Sequence, residues 1–506
     1  MGLVNSNSIN NFNLKPKRTT TCAPTLTKSI LVCVVIVTLP ILVFLHVSSS
    51  IPFCPSAVSA GFYSSAVEAN EFSSWAGDLR DAEFSWNHLR FDDTRPPPEI
   101  LKIAVFSRKW PVGSAPGGME RHALTLHSFL AARGHDVHVF TSAPSVKMLT
   151  TDMASSAVTI HYIDAAPNQW KPELAWVLFK AEDSLASFDA VHSESVALPH
   201  RLAAELPNLA VSWHGIALEA FESSIFQELT RSSSDEEISP EFIKALTDHP
   251  MKIINEIHFF HSYSHHVAIS DSSGEMLRDV YQIPHRRVHV ILNGVDDAQF
   301  TPDSSLGRSF RSSIGVPENA SLVLGVAGRL VKDKGHPLLY QAFSRVTGNH
   351  PDVYLVVAGS GPWAKRYADL GTRVVALGAL PPSSLKAFYN GIDVFLNPTL
   401  RPQGLDLTLM EAMQCGTPVV ATRFPSIKGS VVVDDEFGHM FAPNVDSLVN
   451  VLEKVVKEGR RRLSERGRKC RVYAKKMFAA GKMALAYERM FLCIKNERYC
   501  QYQTII

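Results

Sequence analysis

The sequence predicts an α/β protein built from two doubly wound domains. Short β-branched runs alternate with helical stretches from residue 101 onward, and this alternation is typical of βαβ units and parallel sheets. A chain of 506 residues is also too long for one ordinary domain. The runs lie at 101–107, 136–142, 158–164, 209–215 and 288–294 in the first half, and at 322–328, 353–359, 373–378, 393–398 and 418–422 in the second.

We place a first Rossmann-like domain at residues 100–298 and a second at 299–480, because the segment VDDAQFTPD interrupts the strand pattern between them. Residues 223–240, which include SSSDEE, are predicted to form a solvated surface insertion. Apolar residues at helical spacing between 478 and 494 predict a C-terminal helix. We assign residues 481–506 to a final segment that contains this helix and a tail.

An almost unbroken apolar run lies near the N-terminus, at residues 30–45. A helix needs about 20 residues to cross a bilayer, and flanking residues extend the run to 29–47. Four basic residues precede it and none follows before Arg80. The positive-inside rule therefore predicts a type II transmembrane signal anchor with a cytosolic tail at 1–28 and a stem at 48–99. A cleaved signal peptide is the alternative, since VSA at 58–60 resembles a cleavage site.

Composition argues against several other classes of protein. A net charge of +1 gives no sign of a surface that binds nucleic acid. The seven cysteines show no CxxC pair and no Cys/His ligand spacing, so a structural zinc is not expected. Cys493 and Cys500 are close enough in sequence to form a local disulfide in an oxidising compartment, with buried or free thiols as the alternative.

The most informative stretch is NPTLRPQGLDLTLMEAMQCGTPVVAT, residues 397–422. It predicts a strand end, a loop, a helix and a further strand. We expect Thr408 to cap the helix and Glu411, three residues later, to complete a capping box. The loop would then face the electropositive end of the helix, where phosphorylated ligands bind. A carboxylate that serves only as a cap is the alternative for Glu411.

Two cations follow the strand predicted at 322–327. Arg329 lies in GRL and Lys334 precedes a glycine and a predicted helix, so both are expected in the crevice between the domains. Arg presents a planar fork and Lys a mobile point charge, which together suit a diphosphate whose charge rises as a bond to it breaks. A solvated basic turn is the alternative.

Other candidates lie at strand ends and helix starts. Glycines before a helix, such as Gly117 and Gly118, let backbone N–H groups approach an anion. His214 follows the strand at 209–213, at the edge where open α/β sheets bind ligands. A flexible loop and an ordinary packed histidine are the respective alternatives.

Together these motifs resemble the retaining glycosyltransferases of family four over residues 101–492. The matching stretches are GGMERH at 117–122, NGVD at 293–296, GRLVKDKG at 328–335 and GSGP at 359–362. The family also has a Glu, seven residues and a second Glu, which is Glu411 here. The first position of that motif holds Gln403 in this chain, and Asp406 stands where a glycine is usual. The resemblance implies a GT-B architecture whose terminal helix returns to the first domain.

The resemblance also implies an activity: transfer of a hexose, with retention, from a nucleoside diphosphate sugar to a hydroxyl acceptor, which is a glycan, a lipid or a small molecule. Arg329 and Lys334 would bind the diphosphate, His214 and Gln403 the sugar, and Glu411 the ribose. The remaining donor-binding residues would be Gly117, Gly118, Gly359, Gly361, Leu407 and Thr408.

The sequence contains no Asp-x-Asp, so we expect no metal and no other cofactor. The signal anchor predicts a Golgi or endomembrane protein with a lumenal catalytic domain. Two alternatives remain open. One is a catalytically silent GT-B scaffold that binds nucleotide or glycan, which Gln403 and Asp406 keep in consideration. The other is a nucleotide-sugar epimerase, which needs a carboxylate acid/base pair in the crevice.

Overall fold

The computed structural model describes residues 75–111, 116–144, 158–231 and 237–503. The predicted cytosolic tail, the signal anchor and residues 48–74 of the predicted stem lie outside these ranges. Within them, no helix combines the length and apolar character needed to cross a bilayer. All the described residues fall within one unit, residues 67–506.

A parallel sheet of seven strands forms the first half of the described chain. A short strand, β1 (Gly77–Asp78), precedes it, and the sheet contains β2 (Lys102–Phe106), β3 (Asp136–Ser142), β4 (Thr159–Ile163), β5 (Ala190–Glu194), β6 (Leu209–Trp213), β7 (His265–Ala268) and β8 (Val288–Val290). Their spatial order is β4-β3-β2-β5-β6-β7-β8. The order changes direction between β2 and β5, which is the switch point where open α/β sheets bind ligands.

The helices of this half are α1 (Gly118–Ala132), α2 (Pro172–Leu185), α3 (His200–Ala203), α4 (Ala217–Leu229), α5 (Pro240–Phe260) and α6 (Asp271–Glu275). The prediction of a solvated insertion at 223–240 is wrong for its first part. Ser223 is buried inside α4, and Phe226 packs on Phe424 with ring centroids 4.8 Å apart. The prediction relied on the polar run SSSDEE, whose first five residues lie outside the described ranges.

A second parallel sheet of six strands forms the other half. Its strands are β9 (Leu322–Ala327), β10 (Val353–Ala358), β11 (Val374–Gly378), β12 (Val394–Asn397), β13 (Val419–Thr422) and β14 (Gly438–Phe441). The spatial order is β11-β10-β9-β12-β13-β14, so the switch point lies between β9 and β12. Each of the ten predicted runs contains a strand. Sequence analysis did not single out β5, β7 and β14, since histidines and other polar residues interrupt their apolar pattern.

The helices of the second half are α7 (Ser304–Ser313), α8 (His336–Asn349), α9 (Ala364–Ala368), α10 (Pro382–Asn390), α11 (Leu407–Gln414), α12 (Pro425–Ser430), α13 (Val445–Met477) and α14 (Ala480–Lys495). The backbone leaves helical geometry within α13 at Gly459, where φ is 75°. A glycine adopts this left-handed region without the steric penalty of a side chain.

Helix α14 follows the second sheet in sequence but packs against α1 of the first. Its Glu488 binds Arg133 through both carboxylate oxygens, at 2.5 and 3.1 Å, and His135 at 3.0 Å. Beyond α14, Cys493 and Cys500 form a disulfide, and β15 (Gln501–Tyr502) pairs with β1 in an antiparallel sheet. The C-terminal segment therefore completes the core of the first half.

Candidate active site

A cavity of about 700 Å³ lies between the carboxyl ends of the two sheets. Both switch points open onto it. Of the residues predicted to form a site, eight line its wall: Gly117, Gly118, His214, Arg329, Lys334, Gly359, Leu407 and Thr408. Three others, Gly361, Gln403 and Glu411, are not part of that wall.

Close approach of three loops shapes one side of this cavity. Gly335 has a φ of 73°, and a Cβ there would lie 1.7 Å from the carbonyl oxygen of Pro398. A Cβ on Gly359 would lie 1.8 Å from the carbonyl oxygen of Gly328. Only glycine fits at either position, so the loops after β9, β10 and β12 pack against one another and bring their polar groups to one wall.

Lys334 and Arg329 both reach this wall, in different environments. The Nζ of Lys334 donates to Oδ1 of Asp406 at 2.5 Å, and Nδ2 of Asn397 donates to Oδ2 of the same carboxylate at 3.1 Å. The side chain of Arg329 is 67% exposed, with the Asp333 carboxylate 3.7 Å away. Burial raises the pKa of Asp406, but Lys334 and the Asn397 amide outweigh burial and hold that pKa below its ordinary value. The carboxylate is therefore ionised and orients the ammonium.

Helix α11 begins differently from the prediction. Its N-cap is Asp406, whose side chain makes no capping bond, and Thr408 lies inside the first turn. The predicted capping box is therefore wrong. Glu411 is 2% exposed and uses both oxygens elsewhere: Oε1 lies 2.6 Å from the Arg121 guanidinium, and Oε2 accepts from the Tyr389 hydroxyl at 2.6 Å.

Through these contacts Glu411 lies behind the cavity wall, and its predicted contact with the ribose stays a prediction. Its partner Arg121 extends from α1 and lines the cavity. Because the two helices belong to different halves of the chain, the ion pair joins the halves beneath the cavity. In this arrangement Glu411 holds a cation at the wall.

Gln403 also lies beside the cavity and not on its wall. The residue is 4% exposed, and its Nε2 donates to Oε2 of Glu222 on α4 at 2.7 Å. The main-chain carbonyl oxygen of Gln403 accepts from the Ser270 hydroxyl at 2.7 Å. The neighbouring Arg401 does line the cavity, and its guanidinium bonds to Glu219 on α4 at 2.6 Å. This loop of the second half is therefore attached to α4 of the first half through two carboxylates.

A buried carboxylate that sequence analysis missed lies behind His214. Glu194, at the end of β5, is completely buried and its Oε2 lies 2.6 Å from Nε2 of His214. The ring of His122 packs edge-on against that of His214, with centroids 4.8 Å apart. Burial opposes ionisation of Glu194, but His122, His192 and the hydrogen bond from His214 hold its pKa below the ordinary value. The only signal in sequence was a glutamate ending a short strand that the apolar pattern did not reveal.

The same cluster contains the ligand types that bind divalent metals. Ligand atoms of His122, Glu194 and His214 lie within 4.8 Å of one another, although the direct bond between His214 and Glu194 already uses one atom of each. Our expectation that the reaction needs no metal stays a prediction.

Buried histidines predict a stability that depends on pH. Burial lowers the pKa of His122 and of His192 to about 3, against about 6.5 in the unfolded chain. The free energy of unfolding therefore has its full value above pH 6.5, where both histidines are neutral in either state. It decreases as the pH falls from 6.5 toward 3, because the unfolded state then binds more protons than the folded state. We expect the free energy of unfolding to fall by up to ~1.4 kcal/mol per pH unit for each such histidine, measured by urea unfolding between pH 7.5 and 5.

A variant tests the origin of that slope. His122→Gln removes one titrating group. The free energy of unfolding should then change less with pH, by the amount that one histidine contributes. An unchanged slope in a folded His122→Gln protein would contradict the assignment to His122.

Two family models match consecutive parts of the chain. The model described as Glycosyltransferase Family 4 matches residues 116–299, and the one described as Glycosyl transferases group 1 matches residues 309–476. Together they contain the whole cavity wall. The chain belongs to the group 1 glycosyltransferases of the GT-B fold. The chain is therefore a glycosyltransferase.

Two relatives agree with this assignment. An uncharacterized glycosyltransferase, MJ1607, of Methanocaldococcus jannaschii is 25% identical over 71% of this chain and 90% of its own. A D-inositol 3-phosphate glycosyltransferase of Stackebrandtia nassauensis is 27% identical over 68% of this chain and 80% of its own.

Two solved structures show the shared fold at lower identity. Sucrose-phosphate synthase from Thermosynechococcus elongatus superposes with a TM-score of 0.59 at 18% identity, over 78% of this chain and 98% of its own. Anabaena Alr3699/HepE, determined in complex with UDP-glucose, gives 0.57 at 19% identity, over 76% and 97%. At these identities the likeness shows the GT-B fold alone.

Proposed function

We propose that this glycosyltransferase moves a hexose from a nucleoside diphosphate sugar to a hydroxyl acceptor with retention at the anomeric carbon and without a metal. The observation that carries the proposal is the cavity wall, where Arg329, Lys334 and the N-terminus of α11 come together. Two cations and a helix N-terminus suit a diphosphate leaving group.

For the reaction we propose the front-face course that the resemblance to the retaining glycosyltransferases of family four implies. The bond between the anomeric carbon and the β-phosphate oxygen breaks, and the diphosphate leaves with the bonding electrons. Arg329 and Lys334 stabilise the charge that develops there. The acceptor oxygen bonds to the anomeric carbon on the same face, and its proton passes to the leaving phosphate oxygen. Retention is thus achieved without a covalent bond between sugar and enzyme.

Three of the carboxylates near the cavity are bound by partners, which supports a mechanism in which these three do not act as the nucleophile. Glu411 binds Arg121 and Tyr389, Glu194 binds His214, and Asp406 binds Lys334. Each therefore has a partner that fixes it in place. We assign His214 to the sugar, since it lines the cavity and Glu194 fixes its ring.

A donor panel tests the proposed reaction. The full chain, purified in detergent, is incubated with UDP-, GDP- and ADP-hexoses and simple hydroxyl acceptors. The UDP-glucose complex of HepE makes UDP-hexoses the first choice. We expect release of nucleoside diphosphate from one donor class and a product of unchanged anomeric configuration. Nucleotide binding without turnover across the panel would favour the silent scaffold, and an epimerised donor the epimerase.

We further propose a type II protein of the Golgi or endomembrane system with its catalytic domain in the lumen. The charge asymmetry around residues 30–45 supports this orientation. The disulfide between Cys493 and Cys500 suits an oxidising compartment. Asn319, in the sequon Asn-Ala-Ser, is exposed and accessible to a glycan.

Topology has a direct test. In sealed microsomes we expect added protease to leave the chain after residue 47 intact, because the membrane encloses it, and to digest it once detergent is added. Immunoblotting with an antibody against the C-terminus reads the outcome. Digestion without detergent would refute the lumenal orientation.

A further inference from the structure

The cavity contains a carboxylate where the resembling motif has a glycine. We propose that Asp406 replaces the acidic residue missing from position 403 and acts as the positioning residue that holds Lys334 against the diphosphate of the donor. This inference rests on the proposed function of the same cavity. It concerns the two positions at which this chain departs from the motif, Gln403 and Asp406.

The orientation of Asp406 is the first argument. An aspartate at a helix N-cap ordinarily accepts hydrogen bonds from the amides of the first turn. Asp406 occupies the N-cap of α11 but makes no such bond. Its carboxylate instead accepts from Lys334 at 2.5 Å and Asn397 at 3.1 Å. The carboxylate therefore binds two side chains of the cavity wall, and it does not cap the first-turn amides of α11.

The surroundings of residue 403 are the second argument. The Gln403 amide donates to Glu222, which lies near Glu219 on the same helix. Burial raises the pKa of Glu222, and the charge of Glu219 raises it further. A glutamate at 403 would bring a third carboxylate into this group, with no proton to donate to Glu222 at neutral pH. Glutamine is thus suited to position 403, while the acidic group lies on the wall at 406.

The charges of Lys334 and Asp406 predict how the loss of the carboxylate changes the reaction. An ammonium on a flexible stem has three N–H donors. Asp406 takes one and fixes the ammonium, which leaves two donors for the diphosphate. The pair carries no net charge, so removing the carboxylate leaves Lys334 mobile and raises the local charge by one. Turnover should fall because the ammonium is less well placed, whereas the nucleoside diphosphate product should bind more tightly.

Asp406→Asn is the main test, because it keeps the shape and removes the charge. In the full chain we expect kcat to fall on the order of 10-fold, with a smaller change in KM for the donor, and the affinity for nucleoside diphosphate, measured by calorimetry, to rise a few-fold. Asp446→Asn, the same change on the surface of α13, is the matched control and should alter neither quantity. A merely structural role for Asp406 would not tighten product binding.

A second set of variants keeps the test decisive if Asp406→Asn folds poorly. Asp406→Gly introduces the residue usual in the motif and should show the same loss of kcat. Adding Gln403→Glu to Asp406→Gly should not restore it, since residue 403 faces Glu222. Restoration by the double variant would overturn the proposal, as would an Asp406→Asn protein with wild-type kcat and product affinity.

These results separate this inference from the proposed function. A wild-type protein that binds nucleoside diphosphate but turns over no donor would refute the proposed reaction. Tighter binding in Asp406→Asn would still support the contact between Asp406 and Lys334 at a diphosphate site in that case. Unchanged binding in Asp406→Asn would refute the inference whatever the turnover.

Discussion

Replacing Lys334 with alanine should lower turnover by about 100-fold or more while weakening donor binding much less. The ammonium lies on the cavity wall beside Asp406, and its interaction with the diphosphate strengthens as the glycosidic bond breaks. A contact of this kind acts mainly in the transition state, so its loss appears in kcat. Steady-state kinetics and nucleotide titration of the folded variant measure the two effects separately.

The neighbouring lysine provides a matched control. Lys332 lies in the same short turn as Lys334, but it faces Glu241 at 3.7 Å and does not line the cavity. Lys332→Ala should therefore retain the turnover of the wild type within about twofold. Equal losses of turnover in the two variants would mean that the positive charge of the turn as a whole, and not the position of the Lys334 ammonium, supports the reaction. A fully active Lys334→Ala protein would refute its role.

Replacing Glu411 with alanine should have the largest effect on stability, about 3 kcal/mol. The substitution leaves the Arg121 guanidinium without its carboxylate and the buried Tyr389 hydroxyl without an acceptor. Burial, together with the charge of Glu411, holds the pKa of Tyr389 well above its ordinary value, so this hydroxyl stays protonated and requires an acceptor. Urea unfolding of the wild type and the variant measures the difference.

Two further variants test the cause of the stability loss expected in Glu411→Ala. Glu411→Gln keeps an acceptor for Tyr389 and fills the same space, although an amide NH₂ then replaces the charged oxygen opposite Arg121. It should therefore destabilise the protein, but less than Glu411→Ala. Asp446→Ala breaks an exposed pair with Arg345, 2.7 Å long, and should cost under about 1 kcal/mol. If Glu411→Ala unfolds at the same urea concentration as the wild type but loses nucleotide affinity, Glu411 contacts the ribose after all.

Much of the fold was predictable because its signals are local. Alternating apolar runs predicted strands in both sheets, and Gly328, Arg329 and Lys334 were predicted to follow a strand and precede a helix, as they do. The strand β5 was not predicted, because its sequence AVHSE mixes polar and apolar residues although all five are buried. Its polar His192 is buried because α1 and α14 pack on that face of the sheet and contact it through His127, Tyr487 and Phe491.

Local patterns predicted the candidate site less completely. Strand ends and glycine turns placed His214, Arg329 and Lys334 in a crevice, and the structure brings all three to one cavity. The same patterns did not reveal Glu194, or that Gln403 and Glu411 lie behind the wall. Spacing along the chain specifies where a residue lies on its own strand or helix, but not which distant side chain meets it.

The sequence by itself determined the two parallel sheets and the motifs at their carboxyl ends, because hydrophobic periodicity and turn chemistry act over a few residues. Only the tertiary structure decided which polar groups became partners. Gln403 meets Glu222 across 181 residues of chain and Lys334 meets Asp406 across 72. The first contact forms when the two halves of the chain pack together, and the second forms when the loops after β9 and β12 pack against each other within the second half. A buried polar group needs a partner, and this packing determines which one is within reach.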